Sequence, residues 1–437
     1  MPQQNETNAL SLLRQRLVAC SPPLWACVAL ISALIAFRNP TALFRAEFWA
    51  EDGSCFFQGW WDLGYTSLWT PVTGYQLFLS RLIAWLSGLL LPIVALPYAY
   101  AATAMAVNAF CIAYFVRDGF SWLLPSRKAR LFVALVIAIG PGTAEVFLNL
   151  ANLQATLTWL GVLLLLEKPW QPNVLRVIAL IGLFLSTGSA FVMGPLLLVL
   201  LLVTRRPTYF ALGAVLGLSI LLNTMSHTKS MEASSDFTKL GSLPEIIFGN
   251  FSLRFFLAPF LGEQGALPLF QSGPLAFWSA SCVAALVAAP VLRGTEWLSV
   301  EKSLLLTLAL SVSLMFGAVA LTRAYNAPLL QRGTGYVLWD LRYSFLPGAT
   351  AALVWLPALL RLRALEARLA VALLCFHALI HWSNVPARPD LDWPTTAGRI
   401  EKLRQKHRKG DLNQAEVLGP IPLQPASYPP MRLTVFP

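Results

Sequence analysis

The most chemically distinctive stretch of this sequence is the acidic segment from Glu47 to Gly53, Glu-Phe-Trp-Ala-Glu-Asp-Gly. Its three carboxylates, Glu47, Glu51 and Asp52, lie within six residues in a chain of which only 12% of residues are charged. Neighbouring carboxylates raise one another's pKa, so that one of them can accept a proton near neutral pH. On a helix, Glu47 and Glu51 would share one face. The alternative interpretation is a solvated acidic loop that helps to set membrane topology.

A second polar group follows Gly140. Glu145, Asn149 and Asn152 are spaced i, i+4 and i+7, and Gln154 comes soon after. On a helix they would form one polar stripe among Val, Phe, Leu and Ala. Amides both donate and accept hydrogen bonds, which suits hydroxyl-rich ligands. The alternative for the amides is hydrogen bonding between helices of a bundle.

Arginine and tyrosine residues between two later apolar runs form a third group. Its members are Arg323, Tyr325, Arg332, Asp340, Arg342 and Tyr343. Guanidinium groups match phosphate oxygens bidentately, so we predict that Arg342 clamps a lipid phosphate and that Arg323 and Tyr343 also contact substrate. Tyr75 and Arg81, on an earlier short apolar run, are weaker candidates of the same kind. The alternatives are snorkelling and an ion pair within the group.

These candidate residues belong to a strongly apolar chain. Hydrophobic residues make up 57% of the sequence, and the mean hydropathy is +0.62. We predict an all-α polytopic membrane protein with about eleven transmembrane helices and with interfacial helices in the first outer loop and a later one. The net charge of +11 does not indicate nucleic-acid binding, because many Lys and Arg residues lie in short clusters between apolar runs, as the positive-inside rule requires.

The distribution of charge also predicts the topology. Arg14 and Arg16 precede the first apolar run and favour a cytoplasmic N-terminus. The first outer loop is residues 38–93, in which residues 38–75 contain the acidic segment and four tryptophans, and residues 76–91 are predicted to form an interfacial helix. A membrane span over 94–116 should then return the chain to the inner side.

Two stretches with almost no charge are predicted to form helical hairpins. Residues 131–166 are too long for one span and should turn near 145–154 on the outer side. Residues 177–204 should break at 186–189. One tilted helix over 177–204 is the alternative, and it would invert the topology of everything that follows.

We predict that the chain divides into an integral membrane domain, residues 1–384, which would hold any catalytic site, and a short polar tail, residues 385–437, which this topology places outside. We predict an amphipathic helix over about 394–408 and Pro-rich extended chain from Pro420 onward, because proline cannot continue a regular helix.

Glu51-Asp52 in the first outer loop, the flanking interfacial helices and the span count resemble the GT-C superfamily of membrane glycosyltransferases, which place an acidic pair in that loop and use polyprenyl-phosphate-linked sugars. The resemblance covers most of the chain at the level of architecture, but the tail, residues 385–437, is much shorter than the large C-terminal periplasmic domain of bigger members. In size and tail the chain is similar to bacterial transferases that place arabinofuranose or a similar sugar on pilin or surface glycan. The resemblance implies a multi-pass protein of the bacterial inner membrane in the cell envelope.

The resemblance also implies a reaction. A sugar would pass, with inversion, from a polyprenyl-phosphate donor to a hydroxyl of a protein such as pilin, or of a glycan, on the periplasmic side. Asp52 or Glu51 would deprotonate the acceptor, and a divalent cation (Mg²⁺ or Mn²⁺), if one is used, would bind to the same pair. The predicted catalytic residues are Asp52, Glu51 and Glu145, and the predicted substrate-binding residues are Glu47, Tyr75, Arg81, Asn149, Asn152, Gln154, Arg323, Arg342 and Tyr343.

Two other functions compete with this one. A transporter or flippase for a lipid-linked or small polar substrate could use an intramembrane acid such as Glu145 as a proton relay. Against it, the sequence shows no two-fold repeat, a common feature of transporters. A non-enzymatic assembly component is the third possibility.

Overall fold

The computed structural model describes residues 22–72, 75–227, 247–249, 251–272, 274–293, 298–322, 345–362, 364–383, 390–409, 416–423 and 431–435. Nearly all regular structure in these ranges is helical. The first half contains α1 (Leu24–Arg38), α2 (Thr41–Phe44), α3 (Gln58–Leu63), α4 (Phe78–Leu90), α5 (Leu96–Ala113), α6 (Arg127–Ile139), α7 (Thr143–Val146), α8 (Leu153–Leu166), α9 (Val174–Phe184) and α10 (Gly194–Thr204).

The second half contains α11 (Pro207–His227), α12 (Ala258–Gln271), α13 (Pro274–Arg293), α14 (Ser299–Thr322), α15 (Phe345–Arg361), α16 (Leu365–Ser383) and α17 (Trp393–Arg408). Two π-helices, Asp52–Phe57 and Ser252–Leu257, and short 3₁₀ turns such as Ile93–Ala95 complete the helical part. The tail adds one antiparallel hairpin, β1 (Glu416–Ile421) with β2 (Met431–Val435). The predicted helical class is therefore confirmed, with this hairpin as an addition that the sequence did not predict.

The described residues test the predicted membrane spans only in part. Within the described ranges, one helical segment, Ile93–Val116, is both long and apolar enough to cross a membrane. It contains α5 and coincides with the predicted span over 94–116. The number of spans and the membrane location remain predictions.

The predicted hairpin over 177–204 is present. Phe184 ends α9, and α10 begins at Gly194 after a 3₁₀ turn. Ser219 Oγ of α11 donates to the Phe184 carbonyl at 2.6 Å, and Tyr209 of α11 lies within electrostatic range of Arg176. Helix α9 therefore runs parallel to α11, while α10 returns in the opposite direction. Each arm has 11 residues and is about 16 Å long, roughly half of the hydrocarbon thickness of a bilayer.

The predicted hairpin over 131–166 also exists, but its turn corrects one prediction. Helix α7 ends at Val146, residues 147–152 are not helical, and Leu148 has a positive φ of 67°. Glu145, Asn149 and Asn152 therefore do not form a stripe on one helix, as the sequence predicted. The left-handed conformation of Leu148 redirects the chain, so the i, i+4 relation is lost.

Segments predicted to lie inside meet at one end of the bundle. Glu167, which is buried, accepts hydrogen bonds from Tyr114 Oη at 2.7 Å, Arg117 Nε at 2.8 Å and Arg176 at 2.8 Å. Arg361, the last residue of α15, donates to the Trp122 carbonyl at 2.6 Å. Three segments that are distant in sequence, each with predicted inner-side basic residues, are thus in contact; the side of the membrane on which they lie stays a prediction.

Candidate functional site

Asp52 is buried where the acidic segment meets the turn between α7 and α8. Its side chain is 3% exposed. Its Oδ1 accepts from the Ala151 N–H at 2.8 Å, and its Oδ2 accepts from the Leu150 N–H at 3.1 Å. A carboxylate with two backbone donors is strongly held, because hydrogen bonds to charged groups are the stronger kind. Asp52 thus joins the first predicted polar group to the second.

Helix α4 brings a third segment to the same point. Ser80 Oγ, fully buried, donates to the Leu150 carbonyl at 2.8 Å. Arg81, 3% exposed, donates to the Cys55 carbonyl at 2.7 Å and lies over the Phe56 ring at 5.4 Å. Sequence reasoning found Arg81 but missed Ser80. The sequence feature that could have indicated Ser80 is a hydroxyl residue next to an arginine on an otherwise apolar helix.

Asn149 and Asn152 are both fully buried within the turn. The Asn149 Oδ1 accepts from the Asn152 N–H at 2.9 Å, so this amide helps to hold the backbone in place. This contact lies within the turn and is not the hydrogen bond between helices that was the alternative for the amides, so ligand binding by Asn149 and Asn152 stays a prediction. The side chain of Glu145, which lies in α7, is outside the described part of the structure.

Tyr75 and Gln154 come together at the break after α9. Gln154 Oε1 accepts from the Gly188 N–H at 3.3 Å. A Cβ on Gly188 would lie 2.6 Å from a Tyr75 ring carbon and 3.0 Å from Gln154 Oε1, so any larger residue would force the Tyr75 ring to move. Two predicted substrate-binding residues are therefore neighbours, and Gly188 is a third member that the sequence did not single out.

Glu47 has a different environment from the one predicted. Its Oε1 accepts from the backbone N–H groups of Leu391 and Trp393, at 3.1 and 3.2 Å. These donors lie at the start of α17, so Glu47 supplies the negative group that a helix N-terminus favours. Glu47 and Glu51 do not share a helical face, because the chain is not helical at Glu47 and helix begins only at Ala50.

The tail packs against the acidic segment. The Trp393 ring lies 4.6 Å from the Phe48 ring in an edge-on arrangement. A Cβ on Gly53 would collide with the Leu423 side chain, which follows β1. The sequence predicted the helix and its extended continuation but not these contacts, because nothing local in the tail specifies its partner.

Glu51 is half-buried beside Asp52. Burial raises the pKa of the neighbouring Cys55 thiol, and the nearby Glu51 and Asp52 charges raise it further, although Ser54 and Arg81 act in the opposite direction. The thiol therefore stays protonated and is a poor nucleophile. In the described ranges no three His, Cys, Asp or Glu side chains are grouped as metal ligands. Both Asp52 oxygens already accept N–H groups, so these residues give no direct support to a divalent cation at Glu51 and Asp52, which stays a prediction.

The third predicted group is outside the described residues, and this includes Arg323, Arg342 and Tyr343. A buried arginine that sequence reasoning missed lies elsewhere. Arg254, in the second π-helix, is 2% exposed and lines a cavity together with His377 of α16. The sequence feature that could have indicated Arg254 is a single arginine in an otherwise apolar segment.

No protein-family model matches the chain, and no curated protein sequence is significantly similar to it. The geometry of the acidic segment therefore carries the functional argument by itself.

Proposed function

We propose that this protein is a membrane glycosyltransferase that moves a sugar from a polyprenyl-phosphate donor to a hydroxyl of a protein or glycan, with Glu51 and Asp52 at its centre. One observation carries the proposal. Asp52 binds the Leu150 and Ala151 amides, while Ser80 of α4 binds the same turn. Three segments that are far apart in sequence thus meet around a buried carboxylate, as a site at one face of a helical bundle requires.

A membrane location is supported by the outer surface of the bundle. Large apolar side chains on α9 to α11 remain exposed, among them Val174 at 73%, Leu202 at 66% and Phe210 at 69%. The same holds for Leu286 of α13, at 73%, and Phe376 of α16, at 56%. Water-soluble monomers rarely expose continuous apolar surface on this scale, whereas hydrocarbon chains would cover it.

The contacts favour different roles for the two neighbouring acids. Asp52 has both oxygens on backbone N–H groups, so its carboxylate is occupied in holding the turn. Glu51 is only half-buried and is the better candidate for the general base. In the proposed step Glu51 takes the acceptor proton, and the acceptor oxygen bonds to the anomeric carbon. The bond from that carbon to the phosphate oxygen breaks, and polyprenyl phosphate leaves with the electron pair.

Arg81 is a buried cation that reaches the segment next to Glu51 and Asp52. Its guanidinium contacts the loop at Cys55 and Phe56, where it would stabilise charge that develops on the leaving phosphate. Arg342 remains the second candidate for that task. Tyr75 and Gln154, which meet at Gly188, would orient the sugar.

The test uses the full chain reconstituted in lipid with a panel of polyprenyl-phospho-pentoses and polyprenyl-phospho-hexoses, and loss of the lipid donor is measured by mass spectrometry. Loss of a general base costs about 10²- to 10⁴-fold in rate, so we expect Glu51→Gln to lose at least a hundredfold. Asp62→Asn is the matched control, because Asp62 is an exposed carboxylate in the same loop.

The outcomes separate the candidate functions. Wild-type rates in Glu51→Gln would remove Glu51 from the mechanism, and wild-type rates in Asp52→Asn as well would remove the site. Movement of an intact donor across the bilayer without cleavage would favour the flippase alternative.

A further inference from the structure

Helix α17 has one apolar and one basic face. Trp393, Ala397 and Ile400 are 3%, 2% and 1% exposed and pack inward, at the spacing of one helical face. The exposed basic residues of the opposite face are spaced three, four and three apart: Arg399, Lys402, Lys406 and Lys409. Glu401 is the one acid between Trp393 and Lys409, and it lies 4.0 Å from Arg404.

The position of α17 is fixed by buried contacts. Glu47 binds its first backbone N–H groups, and the Trp393 ring lies 5.9 Å from the Phe57 ring. The basic face is therefore held at the Asp52 end of the bundle. The Lys and Arg residues of the basic face take no part in these contacts, because the side chains of α17 that pack inward are apolar.

Next to α17 is an exposed apolar strip. Helix α17 packs against the 3₁₀ turn Ile93–Ala95, which connects α4 to α5. The residues around that turn are exposed: Leu89 58%, Leu90 77%, Leu91 39% and Val94 42%. A basic helix beside an uncovered leucine strip is the combination found in segments that bind at the membrane surface, where apolar side chains enter the acyl region and Lys or Arg meets phosphate.

We propose that α17 lies at the membrane surface on the Asp52 side and that its basic face binds the phosphates of anionic lipid headgroups. The inference rests on the membrane location in the proposed function but not on the transfer reaction. An acidic polymer could match the charge of α17 but would leave the leucine strip uncovered, whereas a lipid surface accounts for both features. The contact would anchor the tail, and through Glu47 and Trp393 it would steady the acidic segment.

The test places a nitroxide on Gln405→Cys, an exposed position of α17, in the full chain with the exposed Cys282 replaced by serine. The protein is reconstituted in nanodiscs of phosphatidylcholine or of phosphatidylcholine with about one quarter phosphatidylglycerol, a composition that adds negative surface potential. Collision rates with a water-soluble nickel chelate and with oxygen are measured by electron paramagnetic resonance. We expect the nickel accessibility to fall in the anionic discs and the fall to disappear at high salt.

The variant Arg399→Gln, Lys402→Gln, Lys409→Gln keeps good helix formers and removes three charges. Each charge near such a surface is worth about fivefold in affinity, so the variant loses about two orders of magnitude and should show no difference between disc types. The matched control, Lys128→Gln, Arg205→Gln, Arg206→Gln, removes three exposed charges from the opposite end and should behave as wild type.

Equal nickel accessibility in both disc types would overturn the proposal. Protection of the label by soluble polyglutamate but not by anionic lipid would overturn it in favour of an acidic polymer. Failure of the chain to insert into discs would overturn the membrane location itself. A normal label response in a protein without transferase activity would leave this inference standing and remove only the proposed reaction.

Discussion

Replacing Asp52 with asparagine tests the contact on which the candidate site depends. The substitution conserves size but converts one carboxylate oxygen into an NH₂ group. In the folded protein both oxygens face backbone donors, at 2.8 Å from the Ala151 nitrogen and 3.1 Å from the Leu150 nitrogen. Whichever way the introduced amide is oriented, its NH₂ group then faces the N–H group of either Leu150 or Ala151, and two donors cannot form a hydrogen bond.

The loss in free energy of unfolding follows from these two contacts. One hydrogen bond to a charged group is lost, which is worth about 1.5–3 kcal/mol. The second bond becomes a neutral one, and a buried N–H is left unsatisfied at a cost of about 1–3 kcal/mol. Since these terms overlap, we expect a loss of about 3 kcal/mol. The exposed Asp62→Asn should change stability by no more than about 0.5 kcal/mol.

Stability can be measured with the buried thiols of the protein. Cys27 and Cys111 are 1% and 0% exposed, so they react with a maleimide dye only after unfolding. With the exposed Cys282 replaced by serine, the mole fraction of dodecyl sulfate that exposes the thiols reports the free energy of unfolding in mixed micelles.

The reasoning would be refuted if Asp52→Asn unfolded at the same detergent fraction as Asp62→Asn. It would also be refuted if Asp52→Ser were destabilised no more than Asp52→Asn, since serine lacks the reach to bind either amide as aspartate does and should lose both contacts. Either result would mean that Asp52 does not bridge the acidic segment and the turn.

Two further outcomes follow from the same contacts. Burial raises the pKa of Glu47 above its usual 4.5, although the Trp393 and Leu391 amides act in the opposite direction. The folded state therefore binds this proton more tightly than the unfolded state does, so the free energy of unfolding should fall as the pH rises above 4.5. The variant Glu47→Gln should abolish this pH dependence in unfolding midpoints measured over the same interval. The variant Gly188→Ala should lower the free energy of unfolding by about 1–3 kcal/mol, because the added methyl meets the Tyr75 ring. The control Gly182→Ala, in α9 with open space around it, should be neutral or stabilising by up to about 1 kcal/mol. Equal effects of the two variants in a thermal unfolding assay would contradict the position of Tyr75.

The helical architecture was predictable from local information. The break at 186–189 was visible as Ser-Thr-Gly-Ser in an apolar run, and the tail helix over 394–408 was visible from its periodicity. Period and composition act over a few turns of chain, so they are readable without knowledge of what each segment touches.

The roles of the acids were not predictable in that way. Glu47 and Asp52 are similar carboxylates five residues apart, yet one caps α17 more than 300 residues later and the other binds the turn before α8. Each partner is a backbone N–H group, which every residue except proline carries, so no sequence pattern identifies it.

The sequence by itself therefore determined that three carboxylates lie beside aromatic residues in an apolar helical chain. Only the tertiary structure decided that Asp52 is an anchor, that Glu51 is left half-buried beside it, and that the tail packs against the acidic segment at Glu47, Phe48 and Gly53. The physical reason is that side-chain type and spacing set local structure, whereas burial and hydrogen-bond partners depend on segments that meet only when the chain folds.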